Sequence, residues 1–430
     1  MKLNKLCAAL LLCLVASLSY AQEYYNRFTP AADITLEQAI RLGLENNIQL
    51  LTSEQSILIA QQRSKEAAFM RWPQFDILAT ATAYDLEYAT VLPEAMGLRV
   101  LAPQDGDSDA FYGASLSAVQ YLYSGGRISG AIKLSKAKLK EEQSRYEAEK
   151  NRVVLDVKTA FYDYLYSDKK ATLTTANYEK AKKYAAALNG KTWDSISASA
   201  ALERFRIEDN NARHLLHQSK LRFLKVLNKE LNADVKIKGE FKPYFYEGDL
   251  SKLTLWAMQF RPELKTALYE VEMNNISASM SITQNYPDVI VGASYEQVGD
   301  KSLDDTNKQI SLAVRLPLAY NFWLQPKQKK AQQKQSYLKR TDIEDTIRTD
   351  VASNFDSFNF WQTEVVAREN SLEVMSKAIK SMESSSGKQY GLPALQALED
   401  YQKTYISYLE SVRENLTSRS KLEWAIGQDI

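Results

Sequence analysis

Apolar and polar residues alternate along Gln309 to Leu318, where Ile310, Leu312, Val314, Leu316 and Leu318 are interleaved with Gln309, Ser311, Ala313, Arg315 and Pro317. Such a period of two predicts a strand with one apolar and one polar face. A weaker alternation, with Val289, Val291, Ala293 and Tyr295 on one side, predicts its partner. Between these short segments the period changes. Val153, Val157, Ala160 and Tyr164 recur at 4-3-4 spacing with Lys and Glu on the other faces, the signature of long helices packed in a coiled-coil-like manner.

The pattern occurs twice. A shift of 196 maps Ser115-Leu116 onto Ser311-Leu312, Leu122 onto Leu318, and Ala201-Leu202-Glu203 onto Ala397-Leu398-Glu399. A shift of 214 maps Leu50 onto Leu264 and Trp72-Pro73 onto Tyr286-Pro287. The chain is therefore expected to be a tandem duplication, with 18 extra residues in the first copy. They fall around Val91 to Asp109, where Pro93, Gly97, Pro103 and Gly106 predict a long loop.

The first repeat is assigned to residues 22–252. It comprises a helix over 36–71, kinked near Asn46-Asn47, strands at 74–88 and 110–123, a long helix 126–188 and a helix 197–231. Thr35-Leu36-Glu37-Gln38 has the form of a capping box for the first of these. The second repeat, 253–430, has a helix 253–285, strands 287–298 and 308–320, a long helix 324–386 and a helix 393–426. At 1.5 Å per residue the shorter helices of each repeat sum to ~106 and ~100 Å, close to the ~95 Å of a long one. Pairs of short helices stacked end to end would match one long helix, with the strands at one end of a cylinder and Gly-marked turns at the other.

Residues 1–21 form a secretory signal: Lys2 and Lys5, an apolar run from Leu6 to Leu18, and Ser19-Tyr20-Ala21 as the cleavage site. Cys7 and Cys13 both lie inside it, so a mature chain has no thiol, and Leu12 before Cys13 argues against a lipid anchor. Beyond Ala21 no stretch reaches the ~18 apolar residues of a spanning helix. Any membrane crossing falls to the strands, whose aromatic ends (Tyr84, Tyr88, Tyr112, Tyr121, Tyr123, Tyr295, Tyr320, Phe322, Trp323) suit the girdles of a membrane barrel. The alternative is a pair of ordinary hairpins on a helical bundle. Four strands cannot close a barrel in lipid, so the barrel reading requires several chains.

A net charge of +1 gives no reason to expect nucleic acid as partner. No cofactor or metal is expected. His214 and His217 stand three apart without further ligands in reach. No Ser-His-Asp, carboxylate-pair or phosphate-loop motif is present, so enzymatic function is not expected. Lys327, Lys329, Lys330 and Lys334 open a helix just past a strand; anionic headgroups were weighed as their partner against a plain solvated face, which is preferred.

In order along the chain, Leu36-Glu37-Gln38-Ala39, Asn46-Asn47-Ile48-Gln49-Leu50, Trp72-Pro73 and Leu122-Tyr123-Ser124-Gly125-Gly126-Arg127 are followed by Arg261-Pro262-Glu263-Leu264, Tyr286-Pro287 and Ala425-Ile426-Gly427. In this series the chain resembles the TolC-type outer-membrane efflux and secretion channels. The resemblance implies a mixed α and β membrane protein of two tandem repeats: a homotrimer whose 12-stranded β-barrel, four strands per chain, continues into a long periplasmic α-helical barrel. It further implies residence in the outer membrane of a Gram-negative bacterium and action as the exit duct of a tripartite efflux or type I secretion system. A periplasmic adaptor and an inner-membrane pump would be its partners. A secreted coiled-coil structural or adhesion protein is the alternative.

The family often carries acidic residues at its periplasmic mouth, a few positions after a tip glycine. Here Gly391 is followed by Ala397 where a first aspartate commonly stands, then by Asp400. Asp400 is the gate candidate, either lining the mouth in three copies or pairing with Lys403 on the helix surface. Ser195, Ile196, Ser197, Gly391, Leu392 and Pro393, read as turns at the end of the cylinder, are candidates for adaptor contact.

Overall fold

The computed structural model describes residues 33–83, 90–94, 97–101, 110–186, 193–299, 303–317, 323–385 and 392–430. The secretory signal, Gly391, the turns at 187–192 and 386–391, and the aromatic residues Tyr84, Tyr88, Tyr320 and Phe322 lie outside them.

Two helices open the described chain, α1 (Leu36–Asn46) and α2 (Ile48–Phe69). Thr35 Oγ1 accepts the Gln38 N–H at 3.4 Å while Gln38 Oε1 accepts the Thr35 N–H at 3.0 Å, which fixes the start of α1. Asn47, extended at φ −70° and ψ 119°, ends α1 and caps α2 by accepting the Leu50 N–H at 3.1 Å. Strand β1 (Gln74–Ala83) follows. The 18-residue insertion is not wholly loop, because β2 (Thr90–Glu94) and β3 (Gly97–Leu101) pair there as an antiparallel hairpin. Strand β4 (Ala110–Tyr123) leads through Gly125 and Gly126, at φ 59° and 87°, into α3 (Arg127–Ala186). A side chain at Gly125 would put its Cβ 2.6 Å from Tyr286 Cβ, so only glycine permits this close crossing of the two repeats.

Helix α4 (Trp193–Val226) starts four residues before its expected position, and Asn228 at φ 50° turns the chain out of it. The second repeat has α5 (Leu250–Phe260), α6 (Pro262–Thr283), β5 (Asp288–Gly299), β6 (Asp305–Arg315), α7 (Leu324–Ser385) and α8 (Leu392–Ile426). The single helix expected over 253–285 is therefore two, parted at Arg261 because Pro262 supplies no N–H and forces the preceding residue out of the helical region. At the offset of 214, α1 and α2 fall on α5 and α6 residue for residue.

Helices α3 and α7 are about 90 and 93 Å long and run past both short helices of their repeats. Their surroundings differ. Helix α3 packs against α1, α2, α4, α6 and α8, so that Val153, Val157, Ala160, Phe161, Leu165, Ala181 and Tyr184 are buried. Helix α7 packs chiefly against α5, α6 and α8, and buries only Ser336, Ile347, Val351, Phe358, Val365 and Ile379 of its 62 residues.

A strap over residues 229–249, absent from the elements expected above, ties the repeats at mid-height. Ile34 and Ile237 form a parallel bridge, with Ile34 N–H to Lys236 O at 2.8 Å and Lys238 N–H to Ile34 O at 3.0 Å. The Tyr164 hydroxyl donates to Val235 O at 3.0 Å, while Asn415 Oδ1 and Gln362 Oε1 accept the backbone N–H groups of Tyr244 and Tyr246 at 2.8 and 2.6 Å. Side chains of α3, α7 and α8 and the backbone of Ile34 thus satisfy these strap groups, which holds the strap against the bundle.

Candidate functional site

The sheet has the order β1-β4-β5-β6, antiparallel throughout, so β4 of the first repeat pairs with β5 of the second, and β1 and β6 are edges. Directly opposed residues share a face. One row runs Phe75, Ala118, Ala293, Ile310; beside it lie Ile77, Leu116, Tyr295 and, at the β6 edge, Lys308 on one side, and Gln120, Val291 and Leu312 on the other. The other face carries the row Asp76, Ser117, Ser294, Gln309 and the row Leu78, Ser115, Glu296, Asn307. Ile310, Leu312 and Val314 are 85, 68 and 69% exposed. A soluble sheet would bury that face; here nothing among the described residues covers it. No described helix is long and apolar enough to cross a membrane.

Arg127, at the start of α3, pairs with Asp288 at the start of β5. Asp288 stands opposite Arg315 on the polar face, so the junction between sheet and helices is charged on that side.

At the far end, Ala181 and Tyr184 of α3, Ala198, Ala201 and Phe205 of α4, and Ala394, Leu395 and Leu398 of α8 form one apolar cluster. Small residues there let the helices approach closely. Glu383 of α7 reaches across to accept from the Tyr184 hydroxyl at 2.9 Å and from Lys180 Nζ at 3.2 Å. The Tyr184 hydroxyl, against slight burial and with help from Lys180, holds the Glu383 carboxyl below the usual glutamate range. A carboxylate with a depressed folded value contributes stability above its unfolded value of about 4.3 and loses it as pH falls through the folded one. Acidification below about pH 4 is therefore expected to loosen α7 from α3 at the tip, read as a lengthened distance between spin labels on the two helices. Tyr184→Phe should move that transition to higher pH; an unchanged midpoint would leave the hydroxyl without a role in the tie.

Asp400 lies exposed on α8, and its predicted partner is taken: Lys403 Nζ sits 2.9 Å from Glu399 Oε1, which also receives Arg204 at 3.0 Å on its other oxygen. Burial raises the Glu399 carboxyl, but hydrogen bonds from Lys403 and Arg204 outweigh it, and the net displacement is downward. The i,i+3 pair of Asp400 with Lys403 is thus replaced by an i,i+4 pair one residue earlier, the geometry helices favour for Glu before Lys. At the offset of 196, Asp400 corresponds to Arg204, so the two repeats place opposite charges at equivalent tip positions.

Ser195, Ile196 and Ser197 are not a turn. They occupy the first helical turn of α4, since Trp193 and Asp194 already have helical backbone. Leu392 and Pro393 begin α8. Trp193 and Ile196 are 78 and 59% exposed at this end. Trp193 was not among the expected residues, although a tryptophan just past Gly190 in an otherwise polar stretch was a signal for it. His214 and His217 are exposed on α4, and no group of His, Cys, Asp or Glu among the described residues is arranged to hold a metal ion.

No curated protein sequence matches the chain. A family model described as outer membrane efflux protein matches residues 39–191. Among solved structures, a membrane protein from Pseudomonas aeruginosa superposes with a TM-score of 0.75 at 17% identity, over 94% of this chain and 99% of that one. The MtrE outer membrane channel of Neisseria gonorrhoeae, in its open state, gives 0.75 at 15% identity over 91 and 89%. The CmeC outer membrane channel of Campylobacter jejuni gives 0.70 at 14% over 94 and 90%. Residues 39–191 thus match the outer membrane efflux protein family model, and the described chain as a whole has the fold of the outer-membrane channels it superposes on.

Proposed function

We propose that three copies of this chain form a passive duct through the outer membrane of a Gram-negative bacterium, with the helices crossing the periplasm. The observation that carries this reading is one missing neighbour, seen twice. Among the described residues of the sheet, β4 has β1 and β5 beside it while β6 lacks a partner on one side. Among the four helices that run to the sheet, α2, α3, α6 and α7, α3 has α2 and α6 beside it whereas α7 has α6 alone. A second copy added head to tail supplies both: its β1 to β6, and its α2 to α7. Such a heterologous contact closes into a ring.

Chain number follows from lumen size. Two copies would give eight strands, whose interior is filled by side chains; three give twelve, the smallest multiple of four that leaves an opening. The apolar rows then face lipid and the rows containing Asp76, Ser117, Ser294 and Gln309 face water. A duct of this kind has no power source, so cargo movement is assigned to an inner-membrane pump joined through a periplasmic adaptor, in tripartite efflux or type I secretion. Trp193, Ser195, Ile196, Ser197, Leu392 and Pro393 present the end-on surface for the adaptor, with Trp193 its largest apolar group.

Purified protein should cross-link to a species three chains in size and conduct ions in planar bilayers. A water-soluble monomer after secretion would favour the structural or adhesion protein instead. Asp400, freed from Lys403, is the residue assigned to the periplasmic mouth. Asp400→Ala should weaken block by divalent cations and change single-channel conductance. Unaltered block and conductance would return Asp400 to the outer surface.

A further inference from the structure

Residues 127–140 and 324–341, the first turns of the two long helices, hold eleven basic residues and no acidic one, although the whole chain balances 54 against 53. Both segments start directly below the sheet. Pairing along them is partial, and Arg127 at the junction itself is bound to Asp288. Farther from the sheet, Lys138 binds Glu141 and Glu142 at 2.6 and 2.8 Å, Lys339 binds Glu270 at 3.1 Å and Arg340 binds Glu344 at 2.8 Å. Closer in, exposed Lys133, Lys136, Lys327 and Lys330 have no carboxylate partner among the described residues.

The side on which Lys133 and Lys136 lie can be fixed. Arg127 reaches Asp288 on the polar face of the sheet. At 100° per residue, Ser129, Lys133, Lys136 and Lys140 form a stripe roughly 180–240° around α3 from Arg127, and these four are the exposed positions of that segment. The stripe therefore lies under the apolar face. Helix α3 is flanked by α2 and α6 of its own chain, so an added copy would not cover it. Lys133 and Lys136 sit ~9 and ~14 Å below the start of α3, Lys327 and Lys330 ~5 and ~9 Å below that of α7. A lysine stem can extend several ångströms upward along the helix. Trp72 and Trp323, both exposed, mark the same level, as aromatic residues do at a membrane interface.

We propose that Lys133 and Lys136, repeated in each copy, form a collar that binds anionic phospholipid headgroups of the leaflet facing the periplasm. This rests on the reading of the sheet as embedded in lipid. The collar selects lipid charge and anchors the depth of the sheet, while the apolar face alone determines that the protein inserts.

The test uses the full assembled protein in phosphatidylcholine vesicles doped with spin-labelled phosphatidylglycerol or phosphatidylcholine. One lysine near an anionic surface is worth roughly fivefold in association. The wild type should therefore immobilise the anionic label several-fold more than the neutral one, with the ratio falling as salt rises. Replacing both lysines by glutamine should bring the ratio close to one without loss of immobilised lipid or conductance. Replacing two tip-side lysines, Lys169 and Lys183, should not change it. A wild-type ratio of one, a ratio insensitive to salt, or one retained by the collar variant would overturn the collar and leave the duct standing. Absence of immobilised lipid of either kind would overturn both.

Discussion

Introducing lysine at Leu312 is expected to remove the protein from the membrane fraction. Leu312 lies in the middle of the apolar face, opposite Val291, on the strand that ends the sheet. A lysine at the bilayer midplane of a strand costs about 2–4 kcal/mol, and a three-chain assembly would bear it three times. Most folded proteins have a total stability of only about 5–15 kcal/mol, so the assembly should fail rather than weaken. The matched control is its neighbour. Ser311 points to the other face, opposite Gly292, and Ser311→Lys should leave assembly intact while altering conductance. Membrane fractionation and cross-linking read both. Equal tolerance of the two substitutions would contradict the assignment of the faces.

The second large effect is expected inside the bundle, at Arg261. Its side chain is 4% exposed and joins three helices: Nη1 to Asp350 of α7 at 2.8 Å, Nη2 to Glu263 of α6 at 3.1 Å, and the guanidinium plane 4.4 Å over the Trp424 ring of α8. Removing one member of a buried pair typically costs 3–5 kcal/mol because the other charge is left uncompensated. Both acids here are about one-third exposed, which places Arg261→Ala near about 3 kcal/mol. Arg261→Lys keeps the charge but loses the fork and the stacking, so it should fall between. Denaturant unfolding of the detergent-solubilised protein measures both. A loss for alanine under about 1 kcal/mol would mean that apolar packing of Leu253, Ile347, Phe358, Leu422 and Ile426 holds this region unaided.

Arg261 also shows what was legible in the chain and what was not. Periodicity located the strands and long helices because each buries, or offers to lipid, one continuous face. The internal offset revealed the duplication. Applied once more, it would have carried the expected kink at Asn46-Asn47 to Phe260-Arg261, and Pro262 stood there as the physical reason for a break. Helix starts were less visible. Thr192 is a cap residue by type directly before Trp193, but Ser195 and Ser197 offer the same cue a few residues on, which leaves the start ambiguous. The strap was silent because its backbone partners, Asn415 and Gln362, lie far along the chain. Likewise, Asp400 and Glu399 compete for one lysine, and only three-dimensional placement of Arg204 shows which acid is drawn into the cluster. The hairpin in the insertion was hidden by its Pro and Gly residues, which argue for a loop and are tolerated in two short edge strands.

The unequal surroundings of α3 and α7 have a kinetic consequence. A newly translocated chain can consolidate everything around α3 by itself, since that helix meets all its partners within one polypeptide. Helix α7 completes its contacts only on collision with another molecule. Maturation should accordingly divide into a fast step independent of protein concentration and a slower one that accelerates with it, and the half-finished species would expose both α7 and the β6 edge to whichever chaperone or protease arrives first.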